Sequence, residues 1–368
     1  MRFSCDSKEL TEAVLTVIRV MAVRTPREIL QGIHLDADEE GLFVTASDGN
    51  MTSVCRINAV IETDGCAVLP GRLLSDILRK LPAGQMQASL NERFVLTIRC
   101  RGSRFNIAGK SAEEYPLPEQ GGFQQEINMP EPMLKELIHQ TSFAVPLEDQ
   151  RVVLTGGYLN LFQGSLDMVG LDGFRMAVRN VKISDVSTEC KAIIPKKAMD
   201  EIERLMGDEE DKLASLSFSA NRLMLKTEKV TFYTSLIEGQ YIDYKRVIPT
   251  ECNLLATVDT QQFADAVERV ALIARSGRGN LIRLDITQNQ IVFSAASEEG
   301  DVREELGAQT LGIDMTISFN VKYLSEIARV VTGKEIQLKF GSSVSPCVIC
   351  PPHGSEYTFL VLPVRTNA

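Results

Sequence analysis

Apolar and polar residues recur along this chain in the same order three times. Each copy opens with a segment whose apolar residues fall at helical intervals, at residues 7–20, 131–143 and 260–273. Alternating apolar and polar runs follow and predict strands, at residues 33–37, 42–46, 158–162, 165–169, 282–286 and 291–295. Closing strands are expected at 105–108, 231–236 and 357–361. Two helices with antiparallel strands in each copy indicate an α+β fold.

The second predicted helix of each copy repeats its charges as well as its apolar positions. It covers 72–81 (RLLSDILRKL), 197–206 (KAMDEIERLM) and 322–331 (KYLSEIARVV), with copies 125 residues apart. A fixed long period predicts three tandem copies of one module. Cations occupy the first and eighth positions and an acid occupies the fifth, which is Asp76, Glu201 or Glu326.

The charges of this helix allow two interpretations. At about 100° per residue, Arg72 and Arg79 point to one side, while Leu74, Ile77 and Leu81 point to the other. A solvated face with weak salt bridges from Asp76 to both arginines is one interpretation. Because the two cations occur three times, a shared anionic partner is the other.

Composition and charge restrict the class of protein. The 368 residues are 44% hydrophobic, which is enough for two or three domains, and the formal net charge is −10. Phosphate would repel such a chain unless its cations were gathered on one surface. Junction sequences near residues 116–123 and 249–253 predict modules at 1–122, 123–250 and 251–368.

Cysteine usage and the N-terminus indicate a cytoplasmic protein with reduced thiols. The eight cysteines are mostly isolated, and MRFSCDSKEL lacks the apolar core of a secretory signal. Cys347 and Cys350 have CxxC spacing, but the surrounding VSPCVIC run predicts a strand, and no second ligand pair accompanies it. We therefore expect no metal and no cofactor.

Several segments of the chain resemble the bacterial beta sliding clamp family, the processivity subunits of DNA polymerase III. The segments are MRF at 1–3, LDGFRMA at 171–177, GQYIDYKRVIP at 239–249 and YTFLVLPVR at 357–365. The resemblance implies a homodimeric ring, built head to tail from six modules, that encircles duplex DNA. It also implies no catalysis, an ATP-driven loader that opens the ring, and partners that bind through short linear peptides.

The resemblance places the repeated cations on the inner face of the ring, against phosphate groups and without sequence specificity. The DNA-binding residues that it implies are Arg24, Arg72, Arg79, Lys80, Lys196, Lys197, Arg204, Arg275, Arg278, Lys322 and Arg329. Arg275 and Arg278 enter this set only as loop charges. The three fifth-position acids are expected to weaken the positive charge of this face and give a loose grip.

The family also binds peptides in a groove between its second and third modules. The residues implied here are Leu154, Leu171, Gly173, Phe174, Arg175, Met176, Arg246, Val247, Val344, Pro346, Leu360, Leu362, Pro363, Val364 and Arg365. An apolar cleft would anchor Leu or Phe side chains, while Arg175 and Arg246 orient polar groups. Ordinary strand packing explains each apolar residue equally well.

Two departures from the family affect the expected peptide preference. Members often carry Thr and His where this chain has Leu171 and Phe174, so the rim here is more apolar. They also tend to end soon after the final Arg, whereas this chain continues with Thr366-Asn-Ala368.

The ring joint implied by the family joins the first module to the third module of a partner protomer. Its residues would be Phe105 and Ile107 against Leu272 and Ile273. Burial of all four inside their own modules is the alternative.

Two other functions were considered. Gly109-Lys110-Ser111 ends like a phosphate-binding loop, but position 104 is Arg where that loop needs Gly. None of the three histidines has a second histidine or a cysteine four residues on. A modular peptide-binding scaffold without DNA encirclement is the other alternative, and the salt dependence of DNA binding would separate it from a clamp.

Overall fold

The computed structural model describes residues 1–119, 121–183 and 189–365. These residues form the helices α1 (Ser7–Val17), α2 (Gly71–Lys80), α3 (Glu131–Ser142), α4 (Lys196–Leu205), α5 (Thr260–Ala274) and α6 (Val321–Ala328). The strands of the first copy are β1 (Arg2–Asp6), β2 (Gly32–Asp38), β3 (Gly41–Ser47), β4 (Met51–Ile57), β5 (Val60–Thr63), β6 (Gly65–Pro70), β7 (Gln85–Leu90), β8 (Val95–Cys100) and β9 (Ser103–Ala108).

The second and third copies repeat this order of strands. The second has β10 (Gln125–Pro130), β11 (Gly156–Phe162), β12 (Ser165–Leu171), β13 (Arg175–Lys182), β14 (Cys190–Pro195), β15 (Leu213–Phe218), β16 (Arg222–Lys226) and β17 (Val230–Ser235). The third has β18 (Leu254–Asp259), β19 (Leu281–Thr287), β20 (Gln290–Ser297), β21 (Gly300–Gly307), β22 (Gln309–Gly312), β23 (Met315–Asn320), β24 (Glu335–Phe340), β25 (Cys347–Cys350) and β26 (Tyr357–Val361). The predicted helices and strands are thereby confirmed.

Side-chain caps fix where several helices begin. Asp6 accepts a hydrogen bond from the Lys8 amide at 2.7 Å, and Asp259 accepts one from Gln262 at 2.9 Å. Asn320 caps α6 in the same way. Each cap satisfies an amide that has no partner inside the helix. The repeated helices begin one residue earlier than predicted, and α6 ends at Ala328, three residues before the predicted end at 331.

The chain forms two compact units. The first comprises Met1–Lys135 and Asp200–Leu236. It contains a five-stranded sheet in the order β5-β1-β7-β8-β9 and an eight-stranded sheet in the order β10-β15-β16-β17-β4-β3-β2-β6. In the larger sheet β17 pairs with β4, so strands of the second copy continue the sheet of the first.

The second unit comprises Glu136–Met199 and Ile237–Ala368. Its nine-stranded sheet has the order β14-β11-β12-β13-β26-β25-β24-β18-β22, and its four-stranded sheet has the order β21-β20-β19-β23. Here β26 of the third copy pairs with β13 of the second. The same kind of joint therefore occurs once in each unit. The module boundaries at 122/123 and 250/251 stay a prediction.

Candidate functional site

The repeated helices present most of the predicted cations to solvent. The exposed ones are Arg72, Arg79, Lys80, Lys197, Arg204, Lys322 and Arg329. Lys196 is half-buried, and its Nζ lies 2.8 Å from Ser142 Oγ. Arg329 follows the last residue of α6, and its Nε lies 3.7 Å from Glu268. The exposed positions leave these cations available to an external anion.

The buried side of α2 differs from the predicted stripe. Leu74, Ser75 and Leu78 are buried, whereas Ile77 is only half-buried. The prediction that Leu74, Ile77 and Leu81 form the packed stripe is therefore wrong in part. Helix α2 lies against α1, and Thr11 Oγ1 reaches the Leu78 carbonyl at 3.4 Å.

The three fifth-position acids have three different environments. Asp76 is exposed and forms no ion pair with the described residues. Glu201 is 3% exposed, and its Oε1 accepts a hydrogen bond from Arg19 Nε at 2.8 Å. Glu326 is half-buried and accepts a hydrogen bond from Arg175. Glu201 Oε2 also lies 3.5 Å from Nη1 of Arg204, the exposed cation of its own helix. That the three acids weaken the cationic face therefore stays a prediction.

Three further cations were expected near the DNA. Arg24 is exposed in the segment that follows the 3-10 turn after α1. Arg275 is exposed at the C-terminal cap of α5. The side chain of Arg278 lies outside the described residues. Arg24 and Arg275 are thus accessible to solvent, and their contacts with DNA stay predictions.

The second unit contains an apolar cluster that gathers part of the predicted peptide site. Leu154, Leu171, Met176 and Leu360 are buried in it, and Leu362 packs against its edge. Phe174, Arg246 and Val247 are exposed on the turn and the short helix next to these residues, and Pro346 and Pro363 are half-buried. The remaining predicted residues, Val344, Val364 and Arg365, line a separate cavity beside Ser318. A buried apolar floor with an exposed rim suits an amphipathic peptide. The Thr366–Ala368 extension lies outside the described residues.

The rim is positioned by a tight turn before β13. Gly173 has φ of +89°, a conformation that glycine adopts without strain. Asp172 Oδ1 accepts hydrogen bonds from the amides of Phe174 and Arg175, and the Phe174 carbonyl accepts one from Leu362 at 2.8 Å. Phe174 stays 59% exposed and stacks on Tyr323, with ring centroids 6.3 Å apart.

Arg175 is largely engaged by its own chain. Its Nε donates to Asp172 at 3.0 Å, its Nη1 donates to Glu326 and its Nη2 donates to the Phe143 carbonyl at 2.7 Å. The guanidinium also lies 4.7 Å from the centroid of the Tyr323 ring. With 7% exposure, Arg175 holds the second and third copies together. Its predicted peptide contact stays a prediction.

Sequence reasoning missed the aromatic support of this cluster. Tyr158 and Tyr241 stack with ring centroids 4.8 Å apart, and Tyr244 Oη donates to Asp167 Oδ2 at 2.5 Å. Burial, followed by the bond to Asp167, raises the pKa of Tyr244 well above its usual range. Tyr244 begins the short 3-10 helix that carries Arg246 and Val247. Tyr241 and Tyr244 belong to the 239–249 segment that carries the family resemblance. Their aromatic side chains are the sequence signal from which this support could have been predicted.

The predicted joint residues lie at two strand edges and a helix end. In the described sheets β9 and β21 each have one neighbouring strand, β8 and β20. Phe105 and Ile273 are half-buried, Leu272 is 71% exposed, and Ile107 is 1% exposed. Ile107 is therefore part of the module interior in the protomer, and its role in a joint stays a prediction.

The residues of the Gly-Lys-Ser segment and of the CxxC pair belong to strands or bond to them. The Lys110 amide and carbonyl both bond to Val68, so the Gly-Lys-Ser segment bridges to a strand. Cys347 and Cys350 lie on β25, and burial raises the pKa of the Cys347 thiol, which disfavours its reactive thiolate form. Among the described residues no group of three His, Cys, Asp or Glu side chains could hold a metal.

Comparison with known families and proteins decides the class of this chain. Family models of the DNA polymerase III beta subunit match in order: the N-terminal domain at 1–119, the central domain at 128–243 and the C-terminal domain at 245–365. The beta sliding clamps of Staphylococcus aureus and Staphylococcus epidermidis are 33% and 30% identical to the chain, each over the full length of both proteins. The chain belongs to the beta sliding clamp family.

Solved structures of sliding clamps share its fold. The DNA polymerase sliding clamp of Bacillus subtilis aligns with a TM-score of 0.96 at 31% identity, over all of both chains. The beta subunit of the Streptococcus pyogenes DNA polymerase gives 0.94 at 27% identity over the same full coverage. A Pseudomonas aeruginosa clamp bound to griselimycin gives 0.93 at 26%, again over all of both chains.

Membership in this family establishes the function class. The chain is a DNA sliding clamp, a processivity factor with no catalysis of its own, and it has the three-domain clamp fold. No helix among the described residues has the length and apolar character needed to cross a membrane.

Proposed function

We propose that this clamp works as a homodimeric ring that encircles duplex DNA and tethers a polymerase to it. The observation that carries the proposal is the threefold recurrence of exposed cations on α2, α4 and α6 in a chain of net charge −10. An acidic protein binds phosphate only where its cations are gathered. The repeat gathers them on equivalent helices, which suits a surface that meets DNA from several sides.

Contacts from this surface would be to phosphate oxygens rather than to base edges. Arginine and lysine on solvent-exposed helix positions neutralise phosphates and carry no sequence information. Such contacts allow a ring to slide, because the phosphate pattern repeats along the duplex.

The homodimer is supported by the pattern of sheet joints. Phe105, Phe232 and Phe359 occupy equivalent strands, 127 residues apart. Phe232 pairs with Ser53 and Phe359 pairs with Ala177, and both rings are fully buried. Phe105, on the open edge β9, is half-buried. The same register would place Phe105 of one protomer opposite Val302 on β21 of its partner.

In the proposed homodimer, β9 of each protomer pairs with β21 of its partner, so the two copies are arranged head to tail. Leu272, Ile273, Phe105 and Ile107 would then form the apolar part of each joint. Negative-stain microscopy of the purified protein should show closed rings around an open hole. Compact particles without a hole would instead support a scaffold that does not encircle DNA.

Retention on linear duplex DNA at several salt concentrations tests the inner face, because a closed ring can leave a linear duplex at its ends. Reversing Arg79, Arg204 and Arg329 to Glu should abolish salt-sensitive retention, because each phosphate contact contributes a slope of about −0.9 in log affinity against log salt. Arg93, Lys229 and Lys334, one exposed cation from each copy, provide a control triple with the same change in charge. Equal retention of both triple variants would exclude this face.

We also propose that the apolar cluster and its rim bind short peptides of polymerases and of an ATP-driven clamp loader. The buried floor would hold Leu or Phe side chains, and exposed Arg246 would meet polar groups. Leu171 in the buried floor and Phe174 on the exposed rim favour apolar peptide residues.

Peptide binding can be tested apart from DNA binding. Val247→Asp should weaken binding of a labelled Leu- and Phe-containing peptide at least tenfold in fluorescence anisotropy, while leaving DNA retention unchanged. Val60→Asp, an exposed valine on β5, is the matched control. Equal peptide affinity of both variants would place the groove elsewhere.

A further inference from the structure

Within one chain, the acid at the fifth position of the repeated segment forms an ion pair at both joints between successive module copies. Glu201 of the second copy bonds Arg19 of the first at 2.8 Å. Glu326 of the third copy bonds Arg175 of the second. In each case the acid is the fifth residue of the repeated ten-residue segment, and the arginine belongs to the preceding copy.

Both pairs lie at the end of the preceding copy's first helix. Arg19 follows the first residue of α1 by twelve positions, and Phe143 follows that of α3 by twelve. The Phe143 carbonyl accepts a hydrogen bond from Arg175, the same guanidinium that bonds Glu326. At both joints the acid thus meets a guanidinium held at the equivalent helix end.

The third acid and the third helix end lack this contact in the protomer. Asp76 is exposed and has no ion pair with any described residue. The equivalent position on α5, twelve residues after its start, is Leu272, which is 71% exposed. Among the described residues, the first copy therefore has an unpaired acid, Asp76, and an edge strand, β9. The third copy has an uncovered helix end, at Leu272, and an edge strand, β21.

One arginine near this helix end is available to Asp76. Arg275 lies one helical turn beyond Leu272, is exposed, and makes no side-chain ion pair with the described residues. Arg269, one turn before Leu272, is already held by two 2.9 Å hydrogen bonds to Glu304.

We propose that Asp76 pairs with the partner subunit's Arg275 at each closed joint of the ring. The inference rests on the proposed homodimer. It gives Arg275 a role in closure instead of the predicted DNA contact. Because Asp76 and Arg275 are both exposed in the protomer, the pair would be screened by salt and would bias closure rather than dominate it.

A charge swap measured by sedimentation velocity tests the pair. Asp76→Arg and Arg275→Asp should each raise the dimer dissociation constant about tenfold at low salt, since attraction becomes like-charge repulsion. The double variant should return to within about threefold of the starting protein, because both joints regain an opposite pair. Glu92→Arg, at an exposed position of the first copy, should leave dimerisation unchanged.

Each outcome separates this inference from the proposed homodimer. A dimeric starting protein whose Asp76→Arg variant dimerises normally would overturn the pair and leave the ring intact. Weakened single variants without rescue in the double variant would exclude Arg275 as the partner. A starting protein that is monomeric at all concentrations would instead refute the homodimer itself.

Discussion

Helices α2 and α4 carry the same sequence pattern but differ in what surrounds them. Both bury the third residue of the repeat, Leu74 or Met199, and both expose the arginine of the eighth position. The fifth residue differs, since Asp76 is exposed and Glu201 is 3% exposed. A neighbouring copy covers that side of α4, and no described residue pairs with Asp76 on α2. The comparison shows which features belong to the module and which belong to a joint.

The shared buried position should give the largest effects on stability. Leu74→Ala and Met199→Ala should each lower the free energy of unfolding by about 3 kcal/mol, since each leaves a cavity in a packed core. Urea unfolding at fixed protein concentration measures this. Leu73→Ala, at a half-exposed position on α2, should change it by less than about 0.5 kcal/mol. If Leu73→Ala alone greatly lowered the free energy of unfolding, the buried side of α2 would be the one that carries Leu73.

Substitutions at the fifth position should lower the free energy of unfolding by different amounts in the two helices. Glu201→Gln should lower the free energy of unfolding by about 2 kcal/mol, because it leaves Arg19 without its carboxylate at a buried site. The cost is below that of a fully buried pair since the Arg19 side chain is 37% exposed. Asp76→Asn should change it by less than about 0.5 kcal/mol. Equal losses in urea unfolding would remove the distinction between the two helices.

Substitutions at the eighth position should affect DNA retention equally in the two helices, and this is the smallest of the expected effects. Arg79→Ala and Arg204→Ala should each weaken DNA retention slightly and reduce the salt slope by about 1.8, since the homodimer loses two phosphate contacts worth about 0.9 each. The losses should be alike because both guanidinium groups face solvent. Retention measured at several salt concentrations gives the slope. A change confined to one variant would mean that only one helix approaches the DNA.

Periodicity alone was enough for much of the fold. The helical and alternating patterns predicted the repeated helices and the strands of each copy, because those patterns follow from local geometry. The buried stripe of α2 was less predictable. Ile77 and Leu78 are adjacent apolar residues, and only the tertiary packing decides that Leu78 is the buried one.

The candidate peptide site was predictable only through family resemblance. Its residues come from strands and turns far apart in the chain, so no sequence spacing brings Leu154 near Leu360. The structure gathers Leu154, Leu171, Met176 and Leu360 in one cluster. It also shows the stack of Tyr158 on Tyr241 and the internal bonds of Arg175, which no local pattern encodes.

The sequence by itself determined the threefold repeat, the two helices of each copy and the cations that the repeated helix shows to solvent. These depend on short-range periodicity and on charges that recur at a fixed spacing. Only the tertiary structure decided that Glu201 is buried against Arg19, that Arg175 is engaged within the chain, and that β9 and β21 each have one neighbouring strand among the described residues. Those outcomes depend on which segments meet across more than a hundred residues, and chain spacing does not fix such contacts.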